Sequence, residues 1–384
     1  MRRIIKALAE GLDIGRRKPR DPDTHLAAAA EWLARAQDAT ADDGVSASYD
    51  IKAGEWSASY PETTGYIITT LYDYAAYSGN REFAERAERM ARWESEIQLD
   101  EGGVLAGTMD ADIKAPTIFN TGQVLFGWAR AYEETRDPVF ADSLTKASDW
   151  LVKVQDDDGA WRRHASPFAS HEVNTYNTRV AFGLVRAWEV LGRQEWLDAA
   201  VKNVDWVARR AHGNGWMPDN CLTDNSRPLT HTIAYAVRGI LEVGVAADRD
   251  DFIDLAVLAA ENVAAAQRRD GALPGRLDSE WQPAARWSCL TGNSQMALNW
   301  QRIDEVAGNA RLAKAAREAN AYNMSVQSLD DADDGLRGGI QGSYPVYGEY
   351  MRWRVPNWAA KFFMDSLMLE NGFPVDRTAD SRTG

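Results

Sequence analysis

The amino-acid sequence predicts an all-α protein of one domain, an (α/α)6 toroid in which six helical hairpins close into a ring. The clearest of three observations is a block, FGxxRA followed by an aromatic residue and Glu, found at Phe126–Glu133 and again about 56 residues later at Phe182–Glu189. An Asp- and Gly-rich turn also recurs along the chain, and almost no segment alternates as a strand would. Such a repeat indicates one supersecondary unit whose copies cover each other's apolar faces.

Each unit is predicted to begin with an outer helix. In the first one, Leu26 and Leu33 belong to an apolar stripe of helical period. Glu31 and Arg35 can pair four residues apart on the solvent-facing side of this helix. Pro138 falls in the first turn of the third outer helix, where its missing N–H does no harm. The outer helices are predicted at 24–38, 81–98, 138–155, 194–210, 250–267 and 309–328.

A turn, an irregular loop and an inner helix complete each unit. The turns lie at 42–44, 100–103, 156–159, 213–215, 269–271 and 333–335. Glycine in these turns supplies the positive φ that ends a helix, and Asp bonds its own backbone. Inner helices are predicted to begin near residues 63, 121, 177, 231, 291 and 357. They are apolar on more than one side, as expected for helices packed inside a ring.

The domain limits and the compartment follow from the ends of the chain and its composition. We expect an N-terminal lead-in at 1–21, the toroid at 22–376 and a C-terminal tail at 377–384. The basic N-terminus lacks the apolar core and cleavage site of a secretory signal, and no stretch approaches a membrane span, so a cytoplasmic protein is expected. The net charge of −14 argues against a nucleic-acid partner. Two cysteines, Cys221 and Cys289, exclude a disulfide framework.

The turn of the third repeat carries a recognisable motif. Gln155–Trp161 reads QDDDGAW and matches QxxDGxW, so the chain resembles the terpene cyclase and prenyltransferase repeat superfamily along almost its whole length. The same ring is similar to that of six-hairpin glycosidases, polysaccharide lyases and uronyl C5-epimerases. The motif implies a ring in which Gln, Asp and Trp pin the outer helix to the loop, and it does not indicate the reaction. The other repeats depart from it, since the fourth keeps only Gly215-Trp216 and the fifth lacks Trp.

Loops before the inner helices would gather at one mouth of such a ring. Aromatic side chains stack on sugar faces, and Arg and Asn hold carboxylates and hydroxyls, so these loops favour a funnel for an oligo- or polysaccharide that contains uronic acid. No cofactor or metal is expected, and the oligomeric state is not predicted. The candidate substrate-binding residues are Asn120, Asn177, Arg179, His231, Arg286, Trp287, Tyr344, Tyr347, Arg352, Trp353, Arg354, Asn357 and Trp358.

Two kinds of carbohydrate chemistry fit these loops. Elimination or epimerisation at a uronic acid needs a base, an acid and a group that neutralises the carboxylate. His171 and Tyr176 are the candidate base and acid, with Asn177 and Arg352 as carboxylate holders. Glycoside hydrolysis needs paired carboxylates instead. The candidates are Glu62, Glu172 and Glu349, which precede inner helices of three different repeats.

Two other functions stay open. The segment Asp331–Asp334 resembles the DxDD proton donor of terpene cyclases. Asp219, Cys221 and His231 resemble the zinc ligands of protein prenyltransferases. The acidic segment coincides with the repeated turn, and the possible zinc ligands have unusual spacing for a zinc site. The alternatives are therefore a terpene cyclase or prenyltransferase-like enzyme, or a non-catalytic ring that binds a glycan or a peptide.

Overall fold

A computed structural model describes residues 10–11, 15–112 and 114–375 of the chain. Two concentric rings of six α-helices make up most of this part. The outer ring contains α1 (Pro22–Asp38), α3 (Arg81–Glu96), α5 (Pro138–Val154), α7 (Gln194–Ala208), α9 (Asp250–Ala265) and α11 (Ala310–Val326). The inner ring contains α2 (Pro61–Ser78), α4 (Ile118–Thr135), α6 (Thr178–Leu191), α8 (Thr230–Ala246), α10 (Leu290–Ala307) and α12 (Asn357–Glu370).

The inner helices close into a ring. Each packs against the next along the chain, and the last, α12, packs against α10 on one side and against α1 and α2 on the other. The (α/α)6 toroid predicted from the repeat is therefore confirmed. The inner helices begin within about three residues of their predicted starts, and the outer helices end up to two residues earlier than predicted.

The glutamine of the repeated turn ties neighbouring hairpins together. Gln155 Nε2 donates to Gly159 O in its own turn (3.1 Å) and to Ala199 O in the next outer helix, α7 (2.9 Å). Trp161 Nε1 donates back to Leu151 O of α5 at 3.0 Å. Leu151 lies in the last turn of α5, where its carbonyl has no partner within the helix. Gln155 thus joins its turn to the next outer helix, and Trp161 joins the following loop to its own outer helix.

The same two-way bond recurs around the ring and closes it. Gln98 and Gln267 each reach a glycine of their own turn and a carbonyl of the next outer helix. In the last repeat, Gln327 Nε2 donates to Gly338 O (2.7 Å) and to His25 O in α1 (3.2 Å). The sixth turn is therefore bonded to the first hairpin in the same way as the second, third and fifth turns are bonded to the hairpins that follow them.

Short strands, which the sequence did not predict, join the loops at the mouth. β1 (Ser48–Asp50) pairs antiparallel with β2 (Glu55–Trp56) and with β5 (Arg354–Pro356). β3 (Ser288–Cys289) pairs with β4 (Ser343–Tyr344). Strands of two or three residues are too short to show an alternating pattern. The pairing of β1 with β5 links the first loop to the last and reinforces the seam of the ring.

Most of the tryptophans that stand out in the composition belong to the core. Trp32, Trp128, Trp161, Trp196 and Trp300 are fully buried in the hydrophobic core. In the lead-in, the described residues dock on the last repeats, because Glu10 accepts from Val346 N at 2.8 Å and Arg17 N donates to Ser325 O at 2.8 Å. The predicted C-terminal tail at 377–384 lies outside the described residues.

None of the helices in the described ranges combines the length and the apolar composition needed to cross a membrane.

Candidate functional site

A cavity of about 270 Å³ lies at the N-terminal ends of the inner helices. Its walls come from the first turns of α2, α4, α8 and α12 and from three loops. Because the ring brings these first turns together, residues far apart in the sequence share one space. The lining residues are Tyr60, Glu62, Tyr66, Phe119, Asn120, Ser166, Phe168, Tyr176, Leu222, Leu229, His231, Thr232, Tyr235, Tyr350, Met351 and Trp358.

Glu62 is the only carboxylate among those lining residues. It sits in the first turn of α2, directly after Pro61, and accepts a hydrogen bond from Tyr60 Oη at 2.5 Å through Oε2. Burial raises the pKa of Glu62 to about 7, against the opposing effect of the Tyr60 hydrogen bond. A carboxyl group with this pKa exchanges its proton near neutral pH, as a general acid or base requires.

His231 occupies the matching position in the first turn of α8. Its Nδ1 lies 2.7 Å from Gln295 Oε1, and this oxygen can only accept, so Nδ1 carries the proton and Nε2 keeps its lone pair. Burial lowers the pKa of His231 to about 4. At neutral pH this imidazole is therefore uncharged and offers a proton acceptor.

The two groups lie on opposite walls of the cavity. α2 and α8 are the first and fourth of the six inner helices, so they face each other across the ring. One helical turn deeper, at i+4, Tyr66 and Tyr235 follow Glu62 and His231 on the same faces. The rings of both tyrosines pack on Phe362, with centroids 5.5 and 5.8 Å apart. Tyr66 and Tyr235, which both line the cavity, form its floor.

Aromatic side chains of the last repeat form one side wall. Trp358 Nε1 donates to Tyr350 Oη at 2.7 Å, which fixes both rings. Trp358 also meets the ring of Tyr60 edge to face, with centroids 6.3 Å apart, and Tyr350 lies 5.2 Å from the ring of His231. Ring faces held in this way are suited to stacking against the C–H face of a sugar.

The wall opposite comes from α4 and the loop before α6. Phe119 packs edge to face on both Tyr176 and Tyr235, with centroids 5.1 Å apart in each case. Asn120 Nδ2 donates to Leu105 O at 2.7 Å, which orients the amide. Burial raises the pKa of Tyr176, so its hydroxyl stays protonated as a hydrogen-bond donor.

The cavity gathers five of the residues that the sequence predicted for the site. These are Glu62, Asn120, Tyr176, His231 and Trp358. Four of them lie in the first turn of an inner helix, and Tyr176 lies in the short 3-10 turn Thr175–Asn177 that leads into α6. Position at an inner-helix start is what the five have in common.

Other predicted catalytic residues lie elsewhere. His171 is bound through Nε2 to the carbonyl of Cys221, and the neighbouring Glu172 is exposed. Glu349 forms an ion pair with Arg276 at 3.1 Å, and 53% of its side chain is exposed. Glu172 and Glu349 therefore do not face Glu62 across the cavity.

The arginines predicted to clamp a carboxylate are also outside the cavity. Arg179 is buried with its guanidinium 4.1 Å from the centroid of the Phe126 ring. Arg352 Nε donates to the carbonyl of Tyr347 at 2.9 Å, and Arg354 pairs with Asp50 at 3.2 Å. Arg286 is exposed in the loop before α10. The course of the loops thus directs Arg352 and Arg354 to partners in the loops themselves.

The remaining predicted binding residues divide between the interior and the loop surface. Asn357 is buried in loop contacts and donates to Ser46 O at 3.0 Å. These six predicted binding residues do not line the cavity. Three are buried (Asn177, Tyr344 and Asn357), two are partly buried (Trp287 and Trp353), and Tyr347 is exposed.

Several cavity residues were not selected from the sequence. Tyr66 and Tyr235 stand four residues after Glu62 and His231, so helical spacing from a predicted site residue was a usable signal for both. Tyr60 and Tyr350 precede inner helices in loops rich in aromatic residues. Phe168 and Leu222 reach the cavity from irregular loops, and no local pattern marks them.

The features that suggested prenyl chemistry have structural roles. Asp333 caps its own turn by accepting from Gly335 N at 3.0 Å, and Tyr49 Oη donates to its other oxygen. Asp219 pairs with Arg210 at 2.6 Å, and Cys221 is fully buried. Within the described ranges no three His, Cys, Asp or Glu side chains are grouped closely enough to hold a metal ion.

No protein-family model matches the chain, and no curated protein matches it. Solved structures do match it over nearly their whole length. An unsaturated glucuronyl hydrolase specific for heparin is 16% identical, with a TM-score of 0.75, and the match covers 91% of this chain and 97% of that one. A cellobiose 2-epimerase from Bacillus thermoamylovorans is 10% identical, with a TM-score of 0.68 and coverage of 88% and 95%.

A polysaccharide lyase is 11% identical, with a TM-score of 0.62 and coverage of 90% of this chain and 96% of that one. At these identities the likeness shows the toroid fold, which these sugar-processing proteins share with this chain.

Proposed function

We propose that the protein is a carbohydrate-active enzyme that transfers protons at a sugar ring, which is the chemistry of epimerases, isomerases and lyases. The observation that carries the proposal is the placement of Glu62 and His231 on opposite walls of one buried, aromatic-lined cavity. A sugar held between them would have one group at each face. Removal of a proton by one and delivery by the other is general acid–base catalysis.

The pKa values support an assignment of roles. Between about pH 4 and pH 7, Glu62 holds its proton and His231 does not. His231 Nε2 is then the acceptor for a proton from the sugar, and the Glu62 carboxyl group is the donor. Tyr60 orients the donor through its hydrogen bond to Oε2, and Gln295 orients the acceptor through Nδ1. Both partners therefore act as positioning residues.

Hydrolysis by paired carboxylates has less support. That reaction uses two carboxyl groups separated by roughly 5–10 Å on either side of the scissile bond. Among the described residues that line the cavity, Glu62 has no second carboxylate to work with. The other two glutamates that the sequence suggested are an exposed residue, Glu172, and a partner of Arg276, Glu349.

The comparisons support the carbohydrate class and leave the reaction to the site. The similar structures are described as a glucuronyl hydrolase, a cellobiose epimerase and a polysaccharide lyase, all of which process sugars. Because the ring hosts several reactions, residues and not fold must distinguish them. A non-catalytic ring that binds a glycan is the remaining alternative, and an activity test separates it.

The experiment is incubation of the purified protein in D2O with mono-, di- and oligosaccharides, followed by proton NMR. We expect loss of one carbon-bound proton signal, with a new epimer, isomer or unsaturated sugar. The His231→Ala and Glu62→Gln variants should abolish this exchange, whereas Glu96→Gln on the outer surface should preserve it. Cleavage without carbon-bound deuterium would establish a hydrolase instead, and binding without any change would establish a non-catalytic ring.

A further inference from the structure

We infer that the buried cavity accepts one uncharged sugar unit and excludes a uronate. The inference rests on the proposed function, because it names the substrate class of that same site. It differs from the uronic-acid substrate expected from the loop composition, since the arginines behind that expectation lie outside the cavity.

The charged residues around the cavity give the first reason to expect an uncharged sugar. No Lys or Arg stands among the described residues that line it. The buried cations deeper in the ring are engaged with acidic partners or aromatic rings. Lys361 is paired with Asp365, Arg302 Nε donates to Glu242 at 3.0 Å, and Arg179 stacks on the Phe126 ring. The described walls of the cavity therefore offer no Lys or Arg side chain to a carboxylate.

The free-energy cost of removing a uronate carboxylate from water gives the second reason. A carboxylate taken out of water without a cation loses its hydration and gains no ion pair, which is among the most unfavourable events in protein energetics. Here it would also approach Glu62, and two carboxyl groups in one site cannot both ionise without strong repulsion. One of the two carboxyl groups would have to hold a proton, and Glu62, with a pKa of about 7, has largely lost its own at pH 7.5, so a uronate binds more weakly there.

An uncharged sugar meets the same walls favourably. Its C–H faces can stack on Tyr60, Tyr350 and Trp358, which is favourable because these faces are apolar. Its hydroxyls can bond to the Tyr176 hydroxyl, the Glu62 carboxyl group and His231 Nε2. The cavity, at about 270 Å³, is smaller than the roughly 300–1,000 Å³ typical of sites for drug-sized ligands. It therefore suits one sugar ring, with any further units of a glycan outside.

Matched sugar pairs test this inference by calorimetric titration. Each pair is a methyl hexoside and the corresponding methyl hexuronide, in the gluco, galacto and manno series at pH 7.5. We expect at least one neutral member to bind, and its uronide to bind at least about tenfold more weakly. A uronide that binds as tightly as its neutral partner would overturn the inference while leaving the proposed function intact. If no member of any pair binds, the proposed function fails together with the inference.

A variant with a positive charge in the cavity wall tests the same inference, and a variant with that charge on the outer surface is its control. Leu222 lines the cavity, so Leu222→Arg would supply a cation where the described lining residues include no Lys or Arg. We expect the ratio of hexoside to uronide affinity to fall at least about fivefold in this variant. Leu258→Arg on the outer helix α9 should leave the ratio unchanged. An unchanged ratio in a Leu222→Arg protein that unfolds at the same temperature as wild type would contradict the inference.

Discussion

At the scale of single residues, burial determines the chemistry of this site. Glu62 and His231 are ordinary side chains whose proton affinities are moved by removal from water, the first towards a higher pKa and the second towards a lower one. Each keeps one hydrogen-bond partner that fixes its orientation. The result is an uncharged donor and acceptor pair over the pH range between about 4 and 7.

The pH dependence of catalysis should report this pair. We expect kcat/KM to be bell-shaped, falling below about pH 4 as His231 gains a proton and above about pH 7 as Glu62 loses its own. The cavity tyrosines do not contribute, because burial raises the pKa of Tyr60, Tyr66, Tyr176, Tyr235 and Tyr350.

We expect the Glu62→Gln variant to be about 10²–10⁴-fold slower, and its kcat/KM should no longer fall above about pH 7. A pH profile of that variant with the upper limb unchanged would show that another group titrates there.

Another glutamate, Glu94 of α3, affects stability instead. It is fully buried, neither carboxyl oxygen has a hydrogen-bond partner, and burial, with Asp42 nearby, raises its pKa well above the ordinary value. A folded state that holds this proton is stabilised at low pH relative to high pH. As pH rises above the ordinary glutamate value of about 4.3, the unfolded chain ionises first and stability is lost.

Glu94→Gln removes that titration and keeps the size of the side chain. We expect the variant to be more stable than wild type by about 1–3 kcal/mol at pH 8 and little changed at pH 4. Urea unfolding at the two pH values measures the difference. Equal effects at both pH values would mean that Glu94 has an ionised partner in solution.

How much of the site follows from the sequence depends on the kind of segment that carries each residue. Residues in the first turn of an inner helix, such as Glu62 and His231, were found because the repeat places every such turn at one mouth. Arg352 and Arg286 were expected there as well, but loop conformation decides their direction. Arg352 bonds the carbonyl of Tyr347 within its own loop, a contact that no periodic pattern encodes.

At the scale of elements, the repeated turn is what makes the hairpins into a ring. Gly159 adopts φ +100° and its α-carbon faces the carbonyl of Lys202 in the next outer helix, so that a β-carbon would overlap that oxygen. The glycines at 102, 271 and 338 likewise meet a carbonyl of the following outer helix. The helices themselves follow from the 3.6-residue period and the caps, whereas the two-residue strands depend on pairing between distant loops and have no local signal.

Two glycine substitutions separate close packing from backbone strain. Gly159→Ala and Gly79→Ala both place a β-carbon at positive φ, but only the first meets a neighbouring backbone, since nothing lies within 4 Å at Gly79. We expect Gly79→Ala to cost about 1–2 kcal/mol of unfolding free energy and Gly159→Ala clearly more. Thermal or urea unfolding checks this, and equal costs would show that the turn does not hold the next helix.

At the scale of the whole molecule, the ring depends on the seam where the last repeat meets the first. β1 pairs with β5, Gln327 bonds His25 O, and across the seam Thr70 Oγ1 of α2 donates to Asp365 Oδ1 of α12 at 2.7 Å. Asp365 is also paired with Lys361, and both side chains are almost completely buried. A closed seam keeps the walls of the cavity at fixed separation.

Removing one member of that buried pair should be costly. Lys361→Met leaves Asp365 as a buried charge without its cation, and we expect a loss of about 3–5 kcal/mol in unfolding free energy. The double variant Lys361→Met/Asp365→Leu removes both charges and should recover most of the loss. A double variant no more stable than the single one would indicate that the pair itself, rather than the unpaired charge, supports the seam.

The most direct test of the central claim is a crystal structure of the Glu62→Gln variant soaked with a neutral sugar identified by titration. We expect one sugar ring in the cavity between residue 62 and His231, with each group within about 2.6–3.2 Å of a substrate atom and Trp358 or Tyr350 against a ring face. A sugar bound at the outer wall of the toroid, or a cavity in which residue 62 and His231 contact the same face, would contradict it.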